Sequence, residues 1–201
     1  IFASSLEKLQ QKKLYGYLVH HFEFYQSHPQ LWEKMKDLKA EGKIDKIGFS
    51  LYNTDQLQYL LDNEVVFDVL QFPYNLFDRQ FDTYLLYLKQ CGVEIHTRSV
   101  FLQGLFFKNV RKLTDKLLPM KKYLEKLHEY CGISGISMEQ LALNYVVSHP
   151  NIDGVLIGVD NCQQLQANVD ALQNGLRQED IDFISSINVS EKELLNPVNW
   201  K

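Results

Sequence analysis

Five stretches of this sequence are apolar, are of strand length, and end in a polar residue or a glycine. Their ends supply an imidazole, a hydroxyl, an amide and a guanidinium, which offer hydrogen-bond donors and acceptors to a polar ligand. The carboxyl ends of parallel strands meet at one rim, where the active sites of barrel proteins lie. The sequence therefore predicts one site built from five positions: His20, Ser50, Gln71, Arg98 and Gly158.

Two adjacent histidines, His20 and His21, and the nearby Glu23 are residue types that bind metals. Successive side chains of a strand point to opposite faces, so the two imidazoles are not expected to face one ion. No other spacing typical of metal ligands is present. We therefore predict no metal site.

The elements that must position these residues alternate between strand and helix. The predicted strands are residues 14–21, 45–50, 65–72, 92–99 and 152–158. Helical periodicity predicts helices near residues 4–13, 31–40, 54–61, 78–91, 119–131, 137–149, 161–172 and 178–187. The strands are apolar nearly throughout, as in a parallel sheet covered by helices. Five such units indicate an α/β fold, either an open doubly wound sheet or part of a (β/α)8 barrel.

The fourth predicted strand has two chemically different faces. Glu94, His96 and Arg98 share one face, whereas the alternate positions are mostly apolar. If the apolar face packs on helices, the polar column points into a barrel, with Arg98 nearest its carboxyl-terminal mouth.

Composition and charge narrow the class of protein. The net charge of −4 excludes a broadly basic nucleic-acid-binding protein. No apolar run approaches the ~18 residues of a membrane span. Cys91, Cys131 and Cys162 fit neither a disulfide framework nor a zinc site, which favours the cytoplasm. No linker divides the chain, so residues 1–201 are expected to form a single domain. The basic residues within 108–126 are interpreted as a solvated helix face.

Five segments, in order along the chain, resemble the aldo/keto reductase family. YLVHH at residues 17–21 resembles the family's fourth strand, which ends in a catalytic histidine. LKAEGKIDKIGFS at residues 38–50 and VLQFPYNLFDRQ at residues 69–80 resemble the fifth and sixth strands. GVEIHTRSVFLQGLF at residues 92–106 resembles the seventh strand of a bacterial branch with the motif HxRSxFLQG. Residues 137–172 resemble the seventh helix, eighth strand and eighth helix.

This resemblance implies a partial (β/α)8 TIM barrel made of the five C-terminal units, which hold strands 4–8. The chain would then be the C-terminal two-thirds of a family member, with the first three units absent. Those units carry the family's catalytic Asp, Tyr and Lys, which leaves the fourth catalytic residue, His20, in this sequence. Because the sequence opens inside a helical pattern, we expect a fragment. Because five strands cannot close an eight-strand barrel and three tetrad residues are absent, we expect this fragment to be inactive alone.

The resemblance also assigns roles to the residues at the strand ends. His20 matches the catalytic histidine, which orients and polarises the substrate carbonyl by hydrogen bonding. Ser50 and Gln71 match positions that bind the nicotinamide carboxamide. Arg98 occupies the position where many members stack an aromatic ring on the nicotinamide, and a guanidinium can also stack on a ring.

The remaining assignments concern the rest of a nicotinamide dinucleotide. Backbone near Ser99, Leu102 and Gly104 matches the loop that approaches the pyrophosphate. The residues that match positions around the adenosine are Gly158, Asn161, Gln164 and Asn168.

The family mostly uses NADP. The loop GVDNCQQ at residues 158–164 has no basic residue and contains Asp160, so NAD is also possible.

The implied function is NAD(P)H-dependent reduction of carbonyls to alcohols, or the reverse, with hydride supplied by the cofactor. The implied partners are a small carbonyl or alcohol, with no nucleic acid and no membrane. Substrate identity and oligomeric state are not assigned by the sequence. The alternative is a catalytically silent nicotinamide-binding subunit that resembles the β subunits of potassium channels.

Overall fold

The chain builds one sheet from five strands in a computed structural model that describes residues 2–200. The strands lie side by side in chain order, and the second strand pairs in parallel with both the first and the third. This arrangement confirms the predicted α/β fold with a parallel sheet. The strands are β1 (Leu14–Val19), β2 (Ile44–Ser50), β3 (Val69–Pro73), β4 (Glu94–Arg98) and β5 (Gly154–Val155).

Helices separate the strands. In the helices Thr54–Asp62, Met138–Val147 and Cys162–Ala171, an asparagine or serine side chain accepts a hydrogen bond from a backbone N–H of the first turn, which satisfies a donor that the helix leaves open. Short 3-10 helices fill much of residues 105–120 and 192–200. The α-helices are α1 (Phe2–Leu9), α2 (Phe22–Ser27), α3 (Gln30–Ala40), α4 (Thr54–Asp62), α5 (Asp82–Gln90), α6 (Lys121–Ser134), α7 (Met138–Val147), α8 (Cys162–Ala171) and α9 (Gln178–Ser186).

The chain divides into two compact units. Unit 1 comprises Ile1–Phe72 and Thr83–His96, and unit 2 comprises Pro73–Asp82 and Thr97–Lys201. Strand β4 contributes residues to both units. The single domain predicted for residues 1–201 stays a prediction.

An aromatic cluster forms the core of unit 1. Phe49 of β2 is fully buried and stacks on Trp32 of α3, with ring centroids 4.5 Å apart. Tyr25 of α2 packs edge-on against Phe49 at 5.0 Å. Gly48 precedes Phe49 at a point where an added Cβ would lie 1.7 Å from the carbonyl oxygen of Val69. The close approach of β2 to β3 therefore requires glycine at this position.

Unit 2 has an aromatic core of its own. Tyr74 is fully buried and stacks on Tyr145, with ring centroids 6.0 Å apart. Tyr130 of α6 and Phe183 of α9 stack at 3.8 Å. Arg79 donates a hydrogen bond of 3.0 Å to the carbonyl of Ile184 at the end of α9. These contacts fix α6, α7 and α9 around the loop that follows β3.

The first predicted strand is too long by two residues. Strand β1 ends at Val19, and helix α2, which the sequence did not predict, begins at Phe22. The physical reason is burial, because Phe22 and Tyr25 point into the core from one face of this short helix. His20 and His21 therefore lie in a connection and not on a strand.

Three further predicted boundaries are wrong. Strand β3 begins at Val69 and not at residue 65, because the carboxylate of Asp68 accepts hydrogen bonds from Lys39 and from the backbone of Ile47. Helix α5 begins at residue 82 and not at 78, because residues 75–78 form a tight buried turn. Strand β5 has two residues, although its extension continues through a hydrogen bond from Leu156 N to Thr97 O of 2.7 Å.

Candidate functional site

A cleft of about 960 Å³ lies within unit 2. Two loops and one helix form most of its wall: residues 98–104 after β4, residues 156–160 after β5, and the first turns of α8. Phe107 and Glu139 complete it. This volume is within the range of sites that hold small molecules and cofactors.

The cleft collects most of the cofactor residues that the sequence predicts in unit 2. Leu102 and Asn161 are not part of its wall. Leu102 belongs to the first loop but is fully buried, and Asn161 caps α8. The other six line the cleft: Arg98, Ser99, Gly104, Gly158, Gln164 and Asn168.

The loop after β4 has an unusual backbone. Ser99, Leu102 and Gln103 have φ angles of 64°, 46° and 48°, and Gly104 follows at 74°. Residues other than glycine enter this left-handed region at a cost of about 1–3 kcal/mol each, and such strain is common at ligand-binding sites. Hydrogen bonds from Leu102 N to Ser99 O and from Leu105 N to Leu102 O close the turn.

Asn75 donates a hydrogen bond to this loop and is not among the site residues predicted from the sequence. Its side chain is fully buried, and its Nδ2 donates to the Ser99 carbonyl at 3.1 Å. Its Oδ1 accepts from the backbone N–H groups of Phe77 and Asp78, both at 3.0 Å. The signal in the sequence was an asparagine two residues after the apolar strand β3, a residue type typical of side-chain-stabilised turns.

A hydrogen-bonded network organises the entrance to α8. Asn161 Oδ1 accepts from Gln164 N at 2.9 Å, and Gln164 Oε1 accepts from Asp160 N at 2.8 Å. Gln164 Nε2 also donates to the Asp160 carboxylate at 3.4 Å. The exposed start of α8 is therefore fixed, and the partial positive charge of its first turn favours an anionic ligand group.

The charges of the cleft wall nearly balance. Arg98 is its basic residue, and Glu139 and Asp160 are its acidic residues. Arg98 Nη1 donates to the Ser99 hydroxyl at 3.3 Å. This wall combines one guanidinium and a helix start, which suit a pyrophosphate, with two carboxylates, which can accept hydrogen bonds from hydroxyl or amine groups.

Asp78 is a buried acid in the turn that holds Asn75. Burial raises the pKa of Asp78 to about 6, and hydrogen bonds from Gln80 and the charges of Lys192 and Arg98 act in the opposite direction. Its side chain is only 2% exposed. A carboxyl group with this pKa changes its charge just below neutral pH.

In unit 1, two predicted cofactor residues at the strand ends lie side by side. Ser50 Oγ donates to Gln71 Oε1 at 3.2 Å, and Leu51 N donates to the Gln71 carbonyl at 2.7 Å. Ser50 is buried and Gln71 is half-buried. The hydroxyl and the amide therefore form one polar pair at the ends of β2 and β3.

His20 is exposed directly after β1. Its ring centroid lies 5.1 Å from that of His21 and 6.2 Å from that of Tyr52. The expectation that the two histidines point to opposite faces is wrong, because the strand ends before both of them. Among residues 2–200, no group of three or more His, Cys, Asp or Glu side chains is arranged to hold a metal ion.

The polar face predicted for β4 carries an ionic cluster in unit 1. Glu94 Oε2 accepts from Tyr15 at 2.6 Å and from Lys46, and Glu94 Oε1 contacts His96 Nε2 at 2.6 Å. Burial raises the pKa of Glu94, but these hydrogen bonds outweigh it and lower the pKa to about 2. Alternate residues of β4 are buried, as the sequence predicts.

The basic segment at residues 108–126 has partners in unit 2. Lys122 pairs with Glu191 at 3.0 Å, and Lys108 lies 5.9 Å from the centre of the Trp200 ring.

Among the helices of residues 2–200, none combines the length and the apolar character that a membrane span requires.

The amino-acid sequence is similar to a known protein family and to curated proteins. The model of the aldo/keto reductase family matches residues 1–189. An NADH-specific methylglyoxal reductase of Escherichia coli is 25% identical in an alignment that covers 89% of this chain and 60% of that protein. An L-galactose dehydrogenase of Arabidopsis thaliana is 27% identical, with 81% and 54% covered. The chain thus spans a little over half the length of these curated relatives.

A solved structure has the same fold. The apo form of an aldo-keto reductase from Bacillus halodurans superposes with a TM-score of 0.73 over 95% of this chain and 69% of the other. Because the two sequences are 20% identical, this likeness supports the fold and not a shared substrate.

Proposed function

Because this chain belongs to the aldo/keto reductase family, we propose that it binds a nicotinamide dinucleotide for the reduction of carbonyls to alcohols, or for the reverse reaction. The observation that carries this proposal is the cleft of unit 2, where six residues assigned to the cofactor by their motifs share one wall. A bound dinucleotide would supply the hydride, and the protein supplies its position.

The residues of unit 2 fit the pyrophosphate and the adenosine half of such a cofactor. Arg98 and the first turn of α8 suit the pyrophosphate, and the backbone near Ser99 and Gly104 leaves room for its approach. Gln164 and Asn168 lie four residues apart on one face of α8 and offer amide groups to the adenosine half.

In unit 1 the proposal assigns Ser50 and Gln71 to the nicotinamide carboxamide. Their mutual hydrogen bond leaves the Gln71 amide N–H groups available to a carbonyl oxygen of the ligand. His20 would donate a hydrogen bond to the substrate carbonyl oxygen, where negative charge develops. Its exposure and its position directly after β1 support this role.

We propose NADP as the cofactor, with NAD also accepted. Family membership supports a nicotinamide cofactor, and the acidic rim at Asp160 supports acceptance of the form that lacks a 2′-phosphate. The name of the Escherichia coli relative supports a small carbonyl compound such as methylglyoxal as substrate. The three free cysteines support a reducing compartment, and we propose the cytoplasm.

The five strand–helix units would correspond to the last five units of an eight-unit barrel. For residues 1–201 on their own we propose dinucleotide binding without turnover, since His20 is the member of the catalytic tetrad that the motifs locate in them. A silent nicotinamide-binding subunit is the second candidate. It is favoured because His20 is the member of the catalytic tetrad that the motifs locate in residues 1–201. A tyrosine and a lysine after the second and third strands of a longer form of the protein would favour reduction.

Two measurements test the proposal. Titration of the 201-residue chain with NADPH and with NADH, followed by nicotinamide fluorescence, should give saturable binding. Absorbance at 340 nm with methylglyoxal should then show turnover well below ~1 s⁻¹, the lower end of ordinary enzyme rates. Failure to bind either dinucleotide would contradict the proposed function, and turnover at ordinary rates would contradict the proposed inactivity of this segment.

A further inference from the structure

We propose that Asn75 is a positioning residue that holds residues 99–104 in their left-handed form and so shapes one wall of the cleft in unit 2. Asn75 is not part of that wall, so its effect on a ligand is indirect. The ligand considered is a nicotinamide dinucleotide, and in this respect the inference rests on the proposed function.

The first support is that the loop needs an external restraint. Ser99, Leu102 and Gln103 all have positive φ angles, although none is glycine. Side chains at Cβ disfavour this conformation, which persists only where the surroundings hold it. The hydrogen bonds inside the turn start at the Ser99 carbonyl, so the position of that carbonyl sets the position of the turn.

The second support is that Asn75 binds the same carbonyl. Ser99 O accepts both the closing bond from Leu102 N at 2.9 Å and the bond from Asn75 Nδ2 at 3.1 Å. One residue earlier, Arg98 O accepts from Tyr74 N at 3.0 Å. The backbone pairing therefore continues for one more residue through a side chain, at the point where the chain leaves the strand.

The third support is that Asn75 itself cannot move freely. Its Oδ1 accepts two backbone N–H groups, those of Phe77 and Asp78, and its own N–H donates to Asp78 O at 3.0 Å. The side chain is 0% exposed. An amide is the group that meets these demands, since it accepts on one atom and donates on the other at this length.

The consequence is that the cleft depends on the amide donor of Asn75. Ser99, Gln103 and Gly104 line the cleft and belong to the restrained loop. With its carboxyl ionised, Asn75→Asp keeps the two acceptor contacts, loses the donor, and directs a carboxylate oxygen at the Ser99 carbonyl. This substitution therefore removes the restraint while it preserves the turn at residues 75–78.

The experiment compares Asn75→Asp with a control in the same unit. Asp180→Asn is the control, because Asp180 is also buried and binds Tyr130 and Arg177 away from the cleft. Backbone hydrogen exchange is followed by mass spectrometry without ligand. Asn75→Asp should speed exchange at Leu102 and Leu105 at least about tenfold and leave exchange in α9 unchanged. Asp180→Asn should speed exchange in α9 and leave exchange at Leu102 and Leu105 unchanged.

Dinucleotide binding supplies a second measurement. Asn75→Asp should raise the dissociation constants for NADH and NADPH at least about tenfold, and Asp180→Asn should leave both unchanged. Unchanged exchange in the loop of Asn75→Asp, or equal acceleration throughout unit 2, would overturn the inference. If the unmodified chain binds neither dinucleotide, the proposed function fails while hydrogen exchange still decides the role of Asn75.

A measurement on the unmodified chain covers the case in which Asn75→Asp does not fold. Nuclear magnetic resonance of the Asn75 side-chain amide should show protons that exchange slowly, as expected for a buried donor bound to a carbonyl. Exchange as fast as that of an exposed asparagine, such as Asn63, would overturn the inference.

Discussion

The wall of the cleft in unit 2 and the strand ends of unit 1 position their polar groups differently. In unit 2 the loop at residues 99–104 is strained, and buried groups beneath it, Asn75 above all, hold it in place. In unit 1, Ser50 and Gln71 bind each other, and His20 is exposed beside His21. If the proposed function holds, we expect dinucleotide affinity to depend mainly on the preformed cleft of unit 2 and to depend less on Ser50 and Gln71.

The strongest test of this difference fills the cleft. Gly158 lies in its wall, and an added Cβ there would meet no atom within 4 Å. Gly158→Trp should weaken dinucleotide binding at least about 100-fold, or about 2.7 kcal/mol, by occupying the space of the ligand. Gly16→Trp in β1 is the matched control, because its Cβ also meets nothing within 4 Å. Equal affinity of both variants would show that the ligand binds elsewhere.

The second test compares one acid from each unit, the buried Asp78 and the half-buried Glu94. Asp78 has a pKa raised to about 6, so the folded chain binds its proton more tightly than the unfolded chain does. Its contribution to stability is therefore lost as the pH rises from about 4 to 6. Asp78→Asn should stabilise unit 2 at pH 7.5 by about 2 kcal/mol and should have little effect near pH 4.

Glu94 of unit 1 should respond in the opposite direction. Its pKa is lowered to about 2, so its stabilising effect is present at neutral pH and is lost as the pH falls from about 4.5 to 2. Urea unfolding at pH 7.5 and pH 4 measures both effects, with Glu94→Gln as the comparison variant. Stabilisation by Glu94→Gln at pH 7.5 would contradict this assignment.

Some features of the fold and of the cleft could be predicted from the sequence, and others could not. The parallel sheet followed from apolar strands separated by helices, and the alternation along β4 followed from its period of two. Helix α2 was missed because its two buried aromatics, Phe22 and Tyr25, give too short a pattern. The residue type of Asn75 could have indicated the turn at residues 75–78, but its contact with Ser99, 24 residues away, has no local signature in the sequence.

The third test concerns the rim of the cleft. Asp160 lies in the wall and accepts a hydrogen bond from Gln164. A carboxylate near a 2′-phosphate repels it, so Asp160→Lys should favour NADPH over NADH by about fivefold, or about 1 kcal/mol. The ratio of the two dissociation constants measures this effect, and Asp170→Lys, at the exposed end of α8, serves as the control. An unchanged ratio would show that Asp160 does not read the phosphate.

The smallest expected effect lies in unit 1. Ser50→Ala removes one neutral hydrogen bond, that with Gln71, and should raise the dinucleotide dissociation constant by about threefold. A loss as large as that expected for Gly158→Trp would reverse the comparison, because affinity would then depend equally on the strand ends. Measurement by nicotinamide fluorescence under the same conditions makes the two variants directly comparable.

The location of a bound dinucleotide on the unmodified 201-residue chain decides whether the cleft of unit 2 is the binding site. Backbone hydrogen exchange is measured with and without saturating NADPH, and again with NADH. We expect protection to increase at residues 98–104 and 156–168, the two segments that form most of the cleft wall. Increased protection confined to other segments, or none at saturating dinucleotide, would contradict it.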